Sequence, residues 1–250
     1  MRAVFAALAL ALAAAVPAMA QTGAQHSYGV VYNVQARGMS AGDFNFSFNV
    51  NGGQYTGTAE RRLTGLARTL MGNSQDYNYS VRGNVGANGA VEPVAYRHSG
   101  GRKGRVVNAD FSGDGIVTTA TPEMGMGNPP ATEAQKRDAI DQVSMFLGMM
   151  LRPGDPCRQT IKVYLDGRSR FDFVLTPNGT ENVNIAGYRG QAQRCRVAYR
   201  PIAGFGDPQE PAEMTFLFAR VNGVNAPLRI EMPSDDAGVI RLDARSFTAR

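Results

Sequence analysis

Residues 43–50 read Asp-Phe-Asn-Phe-Ser-Phe-Asn-Val, so that an apolar side chain stands at every second position. Side chains of a β-strand point alternately to its two faces. The pattern therefore predicts a strand with one face on a core and the other in water. Asn51-Gly52-Gly53 follows as a turn, and a second strand-like run begins at Tyr55. Together these residues predict a β-hairpin.

The same period-2 pattern recurs along the chain between turns rich in Gly, Asn and Asp. About a dozen short strands with tight turns predict an all-β fold with one helix, in which an antiparallel rolled sheet forms a β-spiral or an open barrel. We also expect a turn at residues 177–179 and a proline, Pro227, just ahead of a strand. The expected strands cover residues 28–35, 44–50, 55–61, 76–81, 91–97, 105–111, 116–119, 159–165, 170–175, 181–185, 191–199, 213–221, 228–231 and 238–242.

One segment has helical periodicity instead. Residues 132–135, Thr-Glu-Ala-Gln, have the form of a capping box, and apolar side chains follow at helical spacing as far as Leu151. We expect one amphipathic helix that begins near Glu133, ends near Leu151 and covers the concave side of the sheet. Its apolar stripe could form an adaptable binding surface, although ordinary core filling explains the same pattern.

Two acidic residues within this expected helix, Asp138 and Asp141, lie three positions apart. On a helix this spacing places both carboxylates on one face, where they could act as acid and base in a hydrolase or bind a cation. The helix dipole and the neighbouring Lys136 and Arg137 offer a structural explanation, which we prefer.

The N-terminal residues have the features of a secretory signal peptide. Met1-Arg2 precedes an apolar run over residues 3–16, and Ala18-Met19-Ala20 has the form of a cleavage site. We expect cleavage after Ala20 and a single β-rich periplasmic domain over residues 21–250; an uncleaved anchor is the alternative. No later run approaches the ~18 apolar residues of a membrane-spanning helix, so we do not expect an integral membrane protein.

The chain has two cysteines, Cys157 and Cys195. Because the periplasm is oxidising, we expect a disulfide bond between them. A redox-active pair is the alternative, and the lack of a Cys-x-x-Cys spacing speaks against it.

The remaining composition argues against catalysis. The chain has two histidines and lacks the Gly-x-Ser-x-Gly, His-Glu-x-x-His, Walker A and Rossmann motifs. A structural zinc site made of Cys and His ligands would need both cysteines and both histidines of the chain. We therefore expect no enzymatic activity, no metal and no cofactor. The net charge of +5 is mild and the basic residues are scattered, so nucleic acid is not an expected partner.

Several cations gather at one expected hairpin tip. Arg97, Arg102, Lys103 and Arg105 surround a Gly-rich turn. They could contact an anion such as a lipid phosphate or a peptidoglycan carboxylate. A solvated turn is the simpler explanation.

Three stretches, taken in order along the chain, resemble the bacterial family known as domain of unknown function 3108, exported proteins of the envelope. Residues 28–48 resemble its opening strand pair, and residues 163–168, Val-Tyr-Leu-Asp-Gly-Arg, resemble its apolar–Asp-Gly-Arg hairpin. The resemblance covers nearly all of the mature chain. It implies an envelope location and a curved antiparallel sheet, and it brings no activity with it.

The third stretch, residues 140–144, reads Ile-Asp-Gln-Val-Ser and resembles the family's Leu-Asp-Pro-Leu-Ser helix opening. Gln142 stands where the family commonly has proline, which would suit the first helical position with the acid before it as cap. Without that proline the helix can extend upstream. We therefore carry over no role for Asp141.

These features predict a non-enzymatic periplasmic envelope protein that binds a lipid-like ligand and supports cell-envelope integrity. Phe146, Met149 and Met150 would line a pocket between helix and sheet, and the tip from Arg97 to Arg105 would meet an anionic group. The alternative is a structural or interaction protein that binds another envelope protein through an exposed sheet edge. The oligomeric state stays open in both cases.

Overall fold

The computed structural model describes residues 25–71, 76–111, 115–235 and 238–250, so the expected signal peptide lies outside the described residues. Strands β1 to β7 are His26–Ala36, Met39–Asn51, Gln54–Leu63, Tyr77–Val85, Val91–Gly100, Arg105–Asp110 and Val117–Thr121. Strands β8 to β13 are Gln159–Leu165, Ser169–Ile185, Tyr188–Ala203, Ala212–Val221, Val224–Ser234 and Gly238–Ala249. Helices α1, α2 and α3 are Gly65–Met71, Glu133–Lys136 and Gln142–Leu151.

The strands form one antiparallel sheet in the order β7-β6-β5-β4-β3-β2-β1-β13-β12-β11-β10-β9-β8. Each strand pairs with its neighbour along the chain except at the centre, where β1 pairs with β13 and Tyr28 lies opposite Ala249. The chain therefore runs from the centre of the sheet to the β7 edge, crosses through α2 and α3, and returns from the β8 edge to the centre. The sheet is not closed into a barrel, which confirms the all-β prediction in its open form.

The predicted hairpin is formed by β2 and β3, and Val50 pairs with Tyr55 across it. Phe46 and Phe48 are buried on the inner face while Ser47 is exposed. Helix α3 packs against this inner face and contacts β3, β4, β5, β8 and β12. The ring centroids of Phe46 and Phe146 lie 4.0 Å apart. The main core thus lies between the rolled sheet and α3.

The predicted turn at residues 177–179 is wrong. Strand β9 runs through these residues, and a bulge occurs where Asn178 and Gly179 face Arg194 alone. Gly179 has a φ of +82°, which glycine adopts without strain. The tip of the long β9–β10 hairpin then packs on the outer face of the sheet. This second apolar cluster contains Val183, Ala192, Leu217, Ala219, Ala226 and Leu228.

Pro227 lies within β12 instead of ahead of it. It pairs with Phe218 at a bulge, where a missing N–H does not break the ladder. Its carbonyl oxygen accepts a 2.6 Å hydrogen bond from the Tyr32 hydroxyl across the inner face.

The expected single helix over residues 133–151 is in fact two helices. The capping box of Thr132 is present, but α2 ends at Lys136. Ile140 then forms a parallel bridge with Val163 of β8, and α3 begins at Gln142 with Asp141 as its N-cap. The predicted upstream extension of the helix is wrong. The backbone N–H and C=O of Ile140 are bonded to β8, and a helix would need them for its own hydrogen bonds.

The predicted disulfide bond between Cys157 and Cys195 is present. The two Cα atoms lie 5.2 Å apart and both side chains are fully buried. The bond joins the segment between α3 and β8 to the middle of β10. It therefore ties the end of the helical crossover to the sheet.

Removing the disulfide should cost stability. We expect the double variant Cys157→Ala/Cys195→Ala to lose about 2–4 kcal/mol of unfolding free energy, because the bond closes a long loop in the unfolded chain. Urea unfolding of the oxidised protein, the reduced protein and the variant measures the loss, and the reduced protein should match the variant. A variant as stable as the oxidised protein would contradict a structural role for the bond.

Candidate functional site

Asp141 fixes the start of α3 inside the sheet. Its Oδ1 atom accepts hydrogen bonds from the backbone N–H groups of Val143 and Ser144, both at 2.8 Å. Its Oδ2 atom accepts the Ser144 hydroxyl at 2.5 Å. The Tyr55 hydroxyl lies 2.6 Å from Ser144 Oγ and donates to it, since the Ser144 proton points to Asp141. This hydrogen-bond chain connects β3 to the helix.

The surroundings of Asp141 change its ionisation. Burial raises the pKa of the carboxyl to about 6, although hydrogen bonds from Ser144 and Val143 lower it. Burial and the nearby Asp141 charge also raise the pKa of Tyr55. Asp141 and Ser144 are both fully buried, so this chain of groups offers no surface to a substrate.

The two candidate carboxylates are not on one helix face, and that prediction is wrong. Asp138 lies in the turn between α2 and α3 with a φ of +60°, and it is exposed. Its Oδ2 atom lies 3.3 Å from Lys162 Nζ. Asp141 points instead into the core. The helix break separates the pair because Ile140, between them, belongs to the sheet edge.

A second polar cluster joins β5 to the β8–β9 turn. Gln142 Nε2 donates to Asp166 Oδ1 and to the Tyr96 hydroxyl, both at 2.6 Å. The Tyr96 hydroxyl also lies 3.1 Å from Asp166 Oδ1 and 2.9 Å from His98 Nδ1. Burial lowers the pKa of His98, while the Asp166 carboxylate raises it and Arg105 and Arg61 lower it further. The sequence did not indicate this cluster, because its members are brought together only by the rolled sheet.

A groove, called the α3 groove from here on, lies between the start of β5, α3 and the β8 edge. Its first chamber has a volume of about 370 Å³ and its second about 550 Å³. Both chambers are lined by Val91, Asp138 and Ile140, so they adjoin. The first is also lined by Met145, Gly148, Met149, Arg152 and Gln159 to Lys162. The second is also lined by Pro93, Phe111, Ile116 and Lys136 to Ala139.

The charged side chains that line the groove are four cations and two acids. Arg152 and Lys162 line the first chamber, Lys136 and Arg137 line the second, and Asp138, which pairs with Lys162, lines both. Within the described part of the chain, no carboxylate lies within ion-pair distance of Arg137 or Arg152. Lys162 pairs with Asp138, but both side chains are well exposed. Such a pair contributes at most about 1 kcal/mol.

The structure brings one of the three predicted pocket residues to the groove. Met149 lines the first chamber. Its side chain is nevertheless fully buried, as is that of Met150, and Phe146 is buried against Phe46. All three side chains belong to the core between α3 and the sheet, and Met149 alone of the three also borders the first chamber.

The cationic tip lies at the far end of β5 from the groove. Arg97 donates to the Asn108 side chain, and Arg105 donates to the carbonyl oxygens of Pro122 and Glu123. Arg102 and Lys103 are exposed in the turn. The ten residues of β5 span about 30 Å, so the structure does not bring the tip and the groove together.

The described ranges contain no group of three or more His, Cys, Asp or Glu side chains placed to hold a metal ion. None of their helices has the length and apolar character needed to cross a bilayer.

Comparisons with known proteins give a family and a distant structural match. Residues 28–245 match the family described as protein of unknown function (DUF3108). No curated protein matches the chain. A crystal structure of a DUF1329 family protein from Desulfovibrio piger ATCC 29098 aligns over 91% of this chain and 86% of that chain, with 9% identity and a TM-score of 0.32.

Asp141 should make stability fall as the pH rises. Its pKa is about 6 in the folded chain against 3.8 for an unperturbed aspartate, so between these values the folded state binds more protons than the unfolded state. Stability should therefore fall by about 2–3 kcal/mol between about pH 4 and pH 7. Asp141→Asn keeps a capping oxygen and does not titrate, so it should lack this fall. Urea unfolding of both proteins across this pH range measures the fall in unfolding free energy. If the free energies of the two proteins changed in parallel with pH, Asp141 would not be its cause.

Proposed function

Since the chain belongs to the DUF3108 family, whose function is unknown, we propose a function from the geometry of its groove. The protein is a non-enzymatic, exported envelope protein that binds the apolar chain of a lipid in the α3 groove. By binding lipid it supports cell-envelope integrity. The first chamber is the observation that carries this proposal.

The first chamber combines an apolar wall with a basic rim. Met145 and Met149 of α3 and Ile161 of β8 line it from the core with side chains that are almost wholly buried, and flexible methionine side chains can move to admit a chain of undefined shape. Arg152 and Lys162 line its polar side, where they would suit an anionic headgroup. Its volume of about 370 Å³ lies within the range of small-molecule sites.

Gly148 keeps the first chamber open. A Cβ atom at this position would lie 3.8 Å from Val91 Cβ and 4.0 Å from Ile140 Cδ1, which are ordinary contacts. The backbone therefore tolerates a side chain here. A glycine in the middle of a helix is unfavourable by about 1 kcal/mol relative to alanine. Space for a ligand in the first chamber would account for a glycine at this position.

Export is part of the proposal. Residues 1–20 have the pattern of a signal peptide, and a disulfide bond suits an oxidising compartment. The groove would then meet lipids of the cell envelope.

A sheet edge supports the second candidate function, binding of another envelope protein. Strand β7 is an edge of the sheet and pairs with β6 alone within the described residues. Val117 on this edge is 65% exposed. An extended segment of a partner could add to such an edge. Crosslinking in cells that captures one envelope protein, and loss of that capture in Thr119→Pro, would favour this candidate.

Filling the first chamber should abolish binding without harming the fold. We expect Gly148→Leu to weaken binding of a fluorescent fatty acid, dansyl-undecanoic acid, about tenfold or more. Gly148→Ala is the control, because it makes the same change in helix propensity and leaves most of the space. Fluorescence titration measures binding, and thermal unfolding should show both variants at least as stable as the parent. Equal binding by the parent and Gly148→Leu would exclude the first chamber.

Export should leave a defined N-terminus. We expect the protein isolated from the periplasmic fraction to begin at Gln21, as measured by mass spectrometry of the intact chain. A chain that keeps residues 1–20 and sediments with membranes would instead indicate an uncleaved anchor.

A further inference from the structure

The α3 groove contains two adjoining chambers, whereas a ligand with a single acyl chain would need one chamber. We propose that the α3 groove takes a two-chained phospholipid, with one acyl chain in each chamber, the branch point over Ile140 and the phosphate on Lys162 and Arg137. This inference rests on the proposed function and adds the class of ligand.

Different elements enclose the two chambers. Helix α3 and strand β8 form walls of the first chamber. The second chamber lies between the start of β5 and the residues from Lys136, the last residue of α2, to Ile140. The lining of the second chamber is mixed: Pro93, Phe111 and Ile116 supply an apolar part, and charged side chains supply the rest. Its volume of about 550 Å³ is not smaller than that of the first, so it can accept a chain of similar size.

Ile140 is a fixed divider between the chambers. Its backbone N–H donates to the Lys162 carbonyl at 2.9 Å, and its carbonyl accepts the Tyr164 N–H at 2.8 Å. The next residue, Asp141, is held by the helix cap. Because its own backbone is bonded to β8 and the next residue caps α3, Ile140 keeps its place in the walls of both chambers. A forked ligand fits this shape, because each chain enters one chamber and the fork lies over the divider.

Cations stand where the fork would place a phosphate. Lys162 Nζ lies 3.4 Å from the Arg137 carbonyl oxygen and 3.3 Å from Asp138 Oδ2. The pair with Asp138 is exposed and weak, so a phosphate can displace it. Arg137 is exposed next to it and can add a charge-assisted hydrogen bond. Asp138 and Glu92 are the acidic groups that line the groove. For a phosphate between Lys162 and Arg137, the attraction of the two cations exceeds the repulsion from these acidic groups.

The chain has no tryptophan, which allows a direct test by fluorescence quenching. Gln159→Trp places a single probe in the first chamber, and Phe111→Trp places one in the second. Each variant is loaded from vesicles of phosphatidylcholine with bromine on both acyl chains and then separated from the vesicles. Bromine quenches tryptophan only at close range. Circular dichroism checks the fold of each variant, and Pro93→Trp is a second probe position for the second chamber.

We expect one bound lipid per protein to quench both probes. Quenching at Gln159→Trp with none at either second-chamber probe would overturn the two-chain inference and leave the proposed function in place. Quenching at neither position would overturn both. Lysophosphatidylcholine with one brominated chain is the matched ligand, and it should need two molecules per protein to quench both probes.

The position of the phosphate has its own test. We expect Arg137→Ala/Lys162→Ala to weaken phosphatidylcholine binding about tenfold, a change that corresponds to about 1.4 kcal/mol. Arg102→Ala/Lys103→Ala removes two exposed cations from the distant hairpin tip and serves as the control, with unchanged binding. Weaker binding in the control and unchanged binding in the groove variant would overturn this placement of the phosphate.

Discussion

The buried N-cap of α3 is the interaction on which the rest of the structure depends. A helix that begins inside a core exposes N–H groups to a region without water, where each unpaired group costs about 1–3 kcal/mol. Asp141 satisfies two of them with one carboxylate oxygen. Burial of that carboxyl raises its pKa to about 6, so the helix start is stabilised at the expense of desolvating an acid. Once the helix is fixed, its apolar side chains complete the core of the rolled sheet.

Three consecutive residues make three different connections around this cap. Ile140 bonds to the edge strand β8, Asp141 caps the helix, and Gln142 bonds to Tyr96 and Asp166. The edge of the sheet, the helix and the polar contact between β5 and the β8–β9 turn are thus set within one short segment. In a closed barrel, pairing between the two edge strands would hold the edges together. Here the sheet is open, and this segment links the β8 edge to the helix and to β5 instead.

The helix break at this segment also creates the α3 groove. If residues 133–151 formed one helix, as their periodicity predicts, residues 137–140 would not stand beside β8 and the second chamber would lose its wall. Gly148 lines the first chamber beside Val91, at a place where a long side chain would enter it. A small local departure from regular structure therefore produces the feature that carries the proposed function.

The sequence by itself determined the parts of the fold that depend on local periodicity. It also determined the disulfide bond, because two cysteines allow one intramolecular pairing. Alternation around Phe46 gave the sheet, the apolar stripe gave the end of α3, and two cysteines could form one bond. Only the tertiary structure decided where the helix begins, because the backbone of Ile140 pairs with a strand more than twenty residues further along the chain. It also decided that Phe146, Met149 and Met150 all fill the core and that Met149 alone of the three borders the groove. The reason is that periodicity specifies which side chains leave the water, whereas the partner each one meets depends on strands that are distant in sequence.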